Sequence, residues 1–310
     1  MRIVFLGTPD LAIPALEALA RNHRIAAVVC RPDKEQGRGR KPGPPAVKRW
    51  ALEHSLPVHQ PEKLNDGSFE QWLRETNPEL CVMAAYGRIL KQPILDVPPR
   101  GFLNLHPSLL PRYRGASPIQ TALLNGDKTT GVTIMKVTLE MDAGPILLQE
   151  ETPILPEDTA VTLSERLAKQ GADLLVKGID LLETGRAVFV PQDDALATYC
   201  KRFEKEDGRI DWRRSAEEIH NLVRAALPWP VAHSPFEGEM MRILRSEPRP
   251  VEHHAPLGSI IAVEKDAIVT AAGRGALAIL ELQMPGKRAM TTAEFLRGRR
   301  VKTGQRFEGT

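Results

Sequence analysis

The amino-terminal half alternates short apolar runs with amphipathic stretches, and this alternation restricts the fold more than any other feature. The uninterrupted apolar runs are RIVFLG, IAAVVC and LCVMAA, at residues 2–7, 25–30 and 80–85. Such runs are typical of strands buried on both faces of a parallel sheet. The stretches between them, DLAIPALEALARN and SFEQWLRETN, have helical spacing of their apolar residues. The pattern predicts βαβ units, and therefore a Rossmann-like, doubly wound and mostly parallel α/β sheet.

The carboxyl-terminal third has a different pattern. Brief β-like runs, MMRILRS, GSIIAV, AIVTAA and LAILELQ, are separated by about 8–12 residues with Gly or Pro between them, which is typical of a small barrel. A length of 310 residues also favours two cores rather than one. We therefore predict a catalytic domain over 1–188, a polar linker over 189–207 and a smaller OB-like β-barrel domain over 208–310.

Composition places the chain among cytoplasmic globular proteins. It is 42% hydrophobic and 26% charged, and it has no apolar window near the ~18 residues of a membrane span. The three cysteines are Cys30, Cys81 and Cys200; they are far apart and form no C-x-x-C pair, which fits a reducing compartment. We expect a cytoplasmic monomer. The formal charge of +3 excludes little, because nucleic-acid binding depends on where basic residues cluster.

One polar pair follows an apolar run in NLHPSLLPRYRGASP, which begins at Asn104. If the run is a strand, Asn104 and His106 lie on one face, and the carboxyl end of such a strand is where open α/β sheets bind ligands. Further along, MDAGPI places Asp142 in a Gly-rich turn before another strand. Taken singly, each residue has an ordinary structural explanation. Together, an amide, an imidazole and a carboxylate are able to stabilise a tetrahedral oxyanion.

Two kinds of site are not supported. FLGTPD follows the first strand but lacks the G-x-G-x-x-G pattern, and no acidic residue ends the second strand, so a nicotinamide cofactor is not expected. The adjacent His253 and His254 give no metal-ligand spacing, and we assign no metal.

The segment NLHPSLLPRYRGASPIQ, together with Asp142 in MDAGPI, resembles the folate-dependent formyltransferases. Further segments are similar to the branch of that family that acts on methionyl-tRNA: FLGTPD, RPDKEQGRGRK, AAYGRIL, GVTIMK, RIDW, PWP and PGKRAMTTAEFL. The resemblance covers nearly the whole chain. Pro107 follows the histidine where some members have glycine, which stiffens the segment and leaves the match otherwise intact.

The resemblance implies transfer of a formyl group from 10-formyltetrahydrofolate to the α-amino group of methionyl initiator tRNA. It implies that Asn104 and His106 donate hydrogen bonds to the developing oxyanion, while Asp142 orients the imidazole and favours its charged form. A proton must also pass from the attacking amine to the departing folate nitrogen. Either His106 or a bound water can relay it.

Binding residues are carried over from the same resemblance. For folate they are Ser108, Leu109, Leu110 and Pro111, with Tyr86, Gly87, Arg88, Ile89 and Leu90, whose backbone would meet the pterin edge. For tRNA the resemblance gives Arg38, in a basic insertion that also contains Arg40 and Lys41. Lys287, Arg288, Arg299 and Arg300 are added because they cluster in the second domain, by analogy with small five-stranded barrels that bind nucleic acid. Glycines and prolines in the insertion are expected to prevent a regular element there, so that it can follow a phosphate backbone.

Three other functions fit parts of the sequence. A formyltransferase acting on a small amine, such as a sugar nucleotide, would share the Asn104, His106 and Asp142 set but would not need the basic clusters. A catalytically silent RNA-binding protein on the same fold would need the clusters but not that set. A nicotinamide oxidoreductase ranks last because the glycine fingerprint is missing.

Overall fold

A computed structural model describes residues 1–36 and 41–308. The chain divides into two compact units. The first comprises Met1–Pro118, Thr129–Pro153 and Ser164–Lys201. The second comprises Ile119–Lys128, Ile154–Leu163 and Arg202–Thr310. No helix among the described residues is long and apolar enough to cross a membrane.

The first unit is built on a mixed seven-stranded sheet flanked by helices. Its strands, including short pairs outside the sheet, are β1 (Arg2–Gly7), β2 (Arg24–Val29), β3 (Lys34–Gln36), β4 (Lys41–Gly43), β5 (Val58–His59), β6 (Leu80–Ala84), β7 (Phe102–His106), β8 (Arg114–Gly115), β9 (Thr129–Lys136), β10 (Ile146–Pro153) and β11 (Tyr199–Cys200). The sheet order is β10-β9-β7-β6-β1-β2-β5. From β7 to β5 every pair is parallel, as the apolar runs predict.

The helices of the chain follow from their amphipathic patterns. They are α1 (Ile13–Asn22), α2 (Ala46–Glu53), α3 (Ser68–Thr76), α4 (Gln92–Leu95), α5 (Pro118–Leu124), α6 (Ala160–Glu183), α7 (Ala216–Ala225) and α8 (Thr292–Gly298). In α3, for example, Phe69 and Leu73 are four residues apart and both buried. Helix α3 ends where Asn77 adopts a left-handed conformation, with φ of 48°.

Strand β9 departs from the parallel arrangement, because it pairs antiparallel with β7 and with β10. Its last residue, Lys136, therefore lies opposite Leu103, near the amino end of β7. The turn between β9 and β10, which carries Asp142, starts at that end of the sheet. It must extend back along β7 to approach His106.

The basic insertion contains more order than its composition predicts. The expectation that glycine and proline exclude a regular element is wrong at its ends, because β3 and β4 pair antiparallel, Lys34 opposite Gly43 and Gln36 opposite Lys41. A proline is tolerated here because the two strands form an isolated pair, in which Pro42 lies on an edge. Arg38 and Arg40, for which we predict tRNA contacts, lie outside the described residues, as does the side chain of Lys41.

The second unit contains an antiparallel sheet of six strands. They are β12 (Ala232–Phe236), β13 (Glu239–Arg249), β14 (Ile260–Val263), β15 (Ile268–Ala271), β16 (Ala276–Gln283) and β17 (Met290–Thr291). The order is β12-β13-β16-β15-β14, with β17 beside β16. Arg306 and Phe307 form bridges to Ser259 and Phe236, next to the two outer strands β14 and β12. The buried core of this unit includes Trp212 together with apolar side chains of β12–β16, and the Trp212 indole nitrogen donates to Ser234 Oγ.

Candidate active site

His106 ends β7 and is almost completely buried, with 4% of its surface exposed. Its Nε2 lies 3.0 Å from the carbonyl oxygen of Tyr113, to which it donates. Its Nδ1 lies 3.6 Å from Asp142 Oδ2, close enough for charge attraction but too far for a good hydrogen bond. The ring is therefore anchored through Nε2, and Nδ1 makes no hydrogen bond among the described residues.

Asp142 is held in an unusual backbone conformation. Its φ is +53°, in the left-handed region that few residues other than glycine adopt, although aspartate tolerates it. Its Oδ2 accepts a hydrogen bond of 2.9 Å from the backbone N–H of Gly115. Gly115 itself has φ of +128°, and a Cβ there would overlap the carbonyl oxygen of Cys200. Only glycine allows this backbone to approach so closely and still present its N–H to the carboxylate.

Asn104 is half-buried on β7, two residues before His106 and therefore on the same face of the strand. Within residues 1–36 and 41–308 its side-chain amide makes no hydrogen bond. Of the three predicted catalytic residues, His106 and Asp142 are therefore in direct proximity. Asn104 lies on the same face of β7 as His106. An uncommitted amide donor and a partly committed imidazole are suited to a substrate oxygen.

A polar segment that the sequence marks as linker lies against this site. Val190 pairs with Ile146, and β11 pairs with β8. Gln192 donates to the carbonyl oxygens of Asp142 and Gly144, at 2.8 and 2.7 Å. These contacts belong to the first unit, which extends to Lys201. Sequence reasoning missed Gln192 because the segment is polar and aperiodic; the PQDD tetrapeptide at 191–194 was its only local signal.

Arg114 connects this segment to the catalytic turn from the other side. It is only 1% exposed, and its guanidinium donates to Gln192 Oε1 at 2.9–3.0 Å and to Asp194 Oδ1 at 2.6 Å. Burial opposes the charge, but the interactions with Asp194 and Tyr199 together outweigh it, so the pKa of Arg114 is raised above its ordinary value. The residue is a permanent buried cation.

The two candidate folate segments differ in how much of their backbone is free. In Ser108–Pro111 all four carbonyl oxygens already accept hydrogen bonds, from Thr133, Arg112, Gln149 and Thr198 respectively. The N–H of Leu110 is also used, by Thr133 Oγ1. Few backbone groups of this segment therefore remain free to form hydrogen bonds with a ligand.

The segment Tyr86–Leu90 has the opposite character. Arg31 donates to the carbonyl oxygens of Tyr86 and Gly87, and Arg88 reaches away to the carbonyls of Pro61 and Glu62. Across the part of the chain that the structure describes, the backbone groups of residues 88–90 have no hydrogen-bond partner. Tyr86 is buried, which raises the pKa of its hydroxyl, whereas 74% of Ile89 is exposed. Arg31 thus fixes the first two residues of this segment, and the backbone N–H and carbonyl groups of residues 88–90 are available to a ligand.

The basic residues of the second unit fall into two groups. Lys287 and Arg300 are exposed and, among the described residues, form no ion pair. Arg288 pairs with Glu294, and Arg299 donates to both Glu237 and Glu239 while lying over the rings of Phe236 and Phe295. The ion pairs raise the pKa of Arg299. Arg299 is therefore largely occupied within its own unit, unlike Lys287 and Arg300.

No cluster of three or more His, Cys, Asp or Glu side chains arranged to hold a metal occurs in residues 1–36 or 41–308. The side chains that the site does bring together are an amide, an imidazole and a carboxylate. Such a set suits polarisation of a carbonyl group during acyl or formyl transfer.

Comparison with known proteins agrees with this chemistry. Residues 1–179 match the formyl transferase family model, and residues 202–300 match the model of the formyl transferase carboxyl-terminal domain. The methionyl-tRNA formyltransferase of Moorella thermoacetica is 44% identical over 306 residues, which is 98% of each chain. That of Methylococcus capsulatus is 46% identical over 297 residues, 96% of each chain.

Solved structures share the fold at lower identity. The N-formyltransferase of Helicobacter canadensis, solved with folinic acid and dTDP-3-aminofucose, has a TM-score of 0.68 at 20% identity, covering 92% of this chain and 99% of that one. HypX of Aquifex aeolicus, solved with tetrahydrofolic acid, has a TM-score of 0.65 at 19% identity, covering 96% and 47%. The sequence relatives are close enough to decide membership: the chain belongs to the formyltransferase family, on the branch of the methionyl-tRNA formyltransferases.

Proposed function

We propose that this chain transfers the formyl group of 10-formyltetrahydrofolate to the α-amino group of methionyl initiator tRNA, giving the formylated tRNA used to start translation. The observation that carries this proposal is identity of about 44% with methionyl-tRNA formyltransferases over nearly the whole of both chains. The His106–Asp142 pair, in a site with chemistry suited to formyl transfer, supports it from the structure.

In the proposed mechanism the neutral amine attacks the formyl carbon, and the carbonyl oxygen becomes an oxyanion. Asn104 donates to that oxygen through its uncommitted amide. His106 donates through Nδ1, because its Nε2 proton is held by Tyr113. Asp142, 3.6 Å away, balances the charge of the imidazolium. Expulsion of the folate nitrogen restores the carbonyl group, and the proton that the amine loses reaches the leaving nitrogen through His106 or water.

For folate we propose a narrower assignment than the sequence gives. The pterin has alternating donors and acceptors along one edge, and the unpaired peptide groups of residues 88–90 complement such an edge. Ser108, Leu109, Leu110 and Pro111 would then form an adjoining wall, because their carbonyl groups are already used. Arg31 contributes by fixing the carbonyls of Tyr86 and Gly87.

For tRNA we propose contacts from the basic insertion, through Arg38, Arg40 and Lys41, and from the exposed Lys287 and Arg300. Arg288 and Arg299 can contribute to the local positive potential, but their ion pairs would have to open for a direct phosphate contact. Because these contacts are electrostatic, affinity should fall as salt rises. We also propose that the protein is cytoplasmic and monomeric.

The test is direct transfer. The protein is incubated with formyl-labelled 10-formyltetrahydrofolate and charged initiator tRNA, and formylmethionine is measured after hydrolysis of the ester. Charged elongator methionyl-tRNA and a dTDP-amino sugar are parallel acceptors. Preference for initiator tRNA is expected, whereas transfer only to the sugar amine would establish the small-amine alternative.

A further inference from the structure

The side chain of Gln192 makes five hydrogen bonds, and four of them are directed at the proposed catalytic turn or at its support. The fifth is a longer contact of 3.9 Å from Nε2 to the sulfur of Met135. Nε2 donates to the carbonyl oxygens of Asp142 and Gly144, and Oε1 accepts from Nε and Nη2 of Arg114. An amide with both donors on one short turn, and its acceptor on a buried guanidinium, has little rotational freedom. The turn is therefore attached to a fixed point in the core.

The turn needs such an attachment. Residues 137–145 form no helix or strand, and Asp142 has a left-handed backbone. A conformation of that kind persists only where neighbouring groups determine it. Gln192 satisfies the two carbonyl oxygens that this conformation directs inward, and loss of its amide would leave both without that donor.

Arg114 also links Gln192 to the carboxylate of Asp142. Arg114, which binds Gln192, is followed directly by Gly115, whose N–H donates to Asp142 Oδ2. Asp194 Oδ1 accepts from Nη2 of Arg114, the nitrogen that also donates to Gln192, and the Thr198 carbonyl accepts from the Arg114 N–H at 2.9 Å. The backbone carbonyl of Asp142 is thus bound by Gln192 and its carboxylate by Gly115, and Arg114 connects these two groups.

We propose that Gln192, supported by Arg114, is a positioning residue that sets the Asp142 carboxylate at its distance from His106 during formyl transfer. The inference rests on the proposed function, because it acts only through Asp142. Its chemical requirement is an amide: both carbonyl groups need a donor, and the guanidinium needs an acceptor. A carboxylate would satisfy Arg114 but would repel the two carbonyl oxygens, and an alkyl group would satisfy neither.

The test compares Gln192→Ala and Gln192→Glu with the wild type at saturating folate donor and charged tRNA. Both variants should lower kcat by about 10- to 100-fold, because displacement of a reacting group by ~1 Å has effects of that size. The KM for 10-formyltetrahydrofolate should change less than about threefold. The matched control is Gln170→Ala, which also removes an amide that donates to two oxygens, of Glu150 and Glu151, and should leave kcat near the wild-type value.

A double-mutant cycle separates positioning from general damage. In an Asp142→Asn background, Gln192→Ala should lower kcat by less than about threefold more, since residues that act through one another are not additive. The pH profile of kcat for Gln192→Ala should also be displaced in the same direction as that of Asp142→Asn. Thermal unfolding identifies any variant that fails to fold, in which case Arg114→Lys, which keeps the charge but loses the fork to Gln192, replaces it in the cycle.

Additive losses in the cycle, or an unchanged pH profile with a reduced kcat, would overturn the positioning role. Neither result would touch the proposed function, which fails separately if the wild type does not formylate methionyl-tRNA.

Discussion

Replacement of Asp142 by asparagine should slow formyl transfer while leaving the site assembled. Asparagine keeps an oxygen to accept from the Gly115 N–H and removes only the charge beside His106. At 3.6 Å, two unit charges interact by about 4–5 kcal/mol at an effective dielectric constant of ~20. The Asp142 side chain is 16% exposed, so screening reduces this. If roughly half is expressed in the transition state, kcat falls by about 10²-fold.

The assay is single-turnover formylation of charged initiator tRNA at saturating folate donor, followed by equilibrium binding of the folate. Binding should remain within about threefold of the wild-type value. Asp142→Ala should be slower still, because the Gly115 N–H then loses its acceptor as well. Asp96→Asn, which neutralises an exposed carboxylate, is the control. A rate for Asp142→Asn within about threefold of the wild type would refute the electrostatic role.

Three further outcomes are expected. Arg38→Ala should weaken tRNA binding and reduce the slope of log affinity against log salt by about one phosphate contact, without changing folate binding; an unchanged slope would exclude that contact. Ser215→Ala removes the N-cap of α7 and should lower the free energy of unfolding by about 1 kcal/mol in urea titrations. Burial, reinforced by Arg224, lowers the pKa of His220 to about 4, so the second unit should lose stability as pH falls from about 6.5 towards 4, where only the unfolded chain takes up the proton. His220→Gln should show a smaller loss in the same urea titrations at pH 7 and 5.

The sequence by itself determined the parallel part of the first sheet and the amide and imidazole on β7. Uninterrupted apolar runs report burial on both faces, which is a local property of the chain. The two-residue spacing of Asn104 and His106 likewise fixes their common face wherever the strand lies. The antiparallel sheet of the second unit follows from the short runs separated by turn residues.

Only the tertiary structure decided how Asp142 reaches His106. Strand β9 is antiparallel to β7, so the turn that carries Asp142 begins beside the amino end of β7, whereas His106 is at the carboxyl end. The turn therefore has to extend back along β7. No local sequence pattern encodes that direction. It also decided that residues 190–200, polar and aperiodic like a linker, are fixed to the site by Gln192 and by the pairing of β11 with β8. Polar composition reports contact with water or with other polar groups equally well. Which of the two applies depends on distant residues such as Arg114, whose charged side chain becomes buried only when the chain has folded.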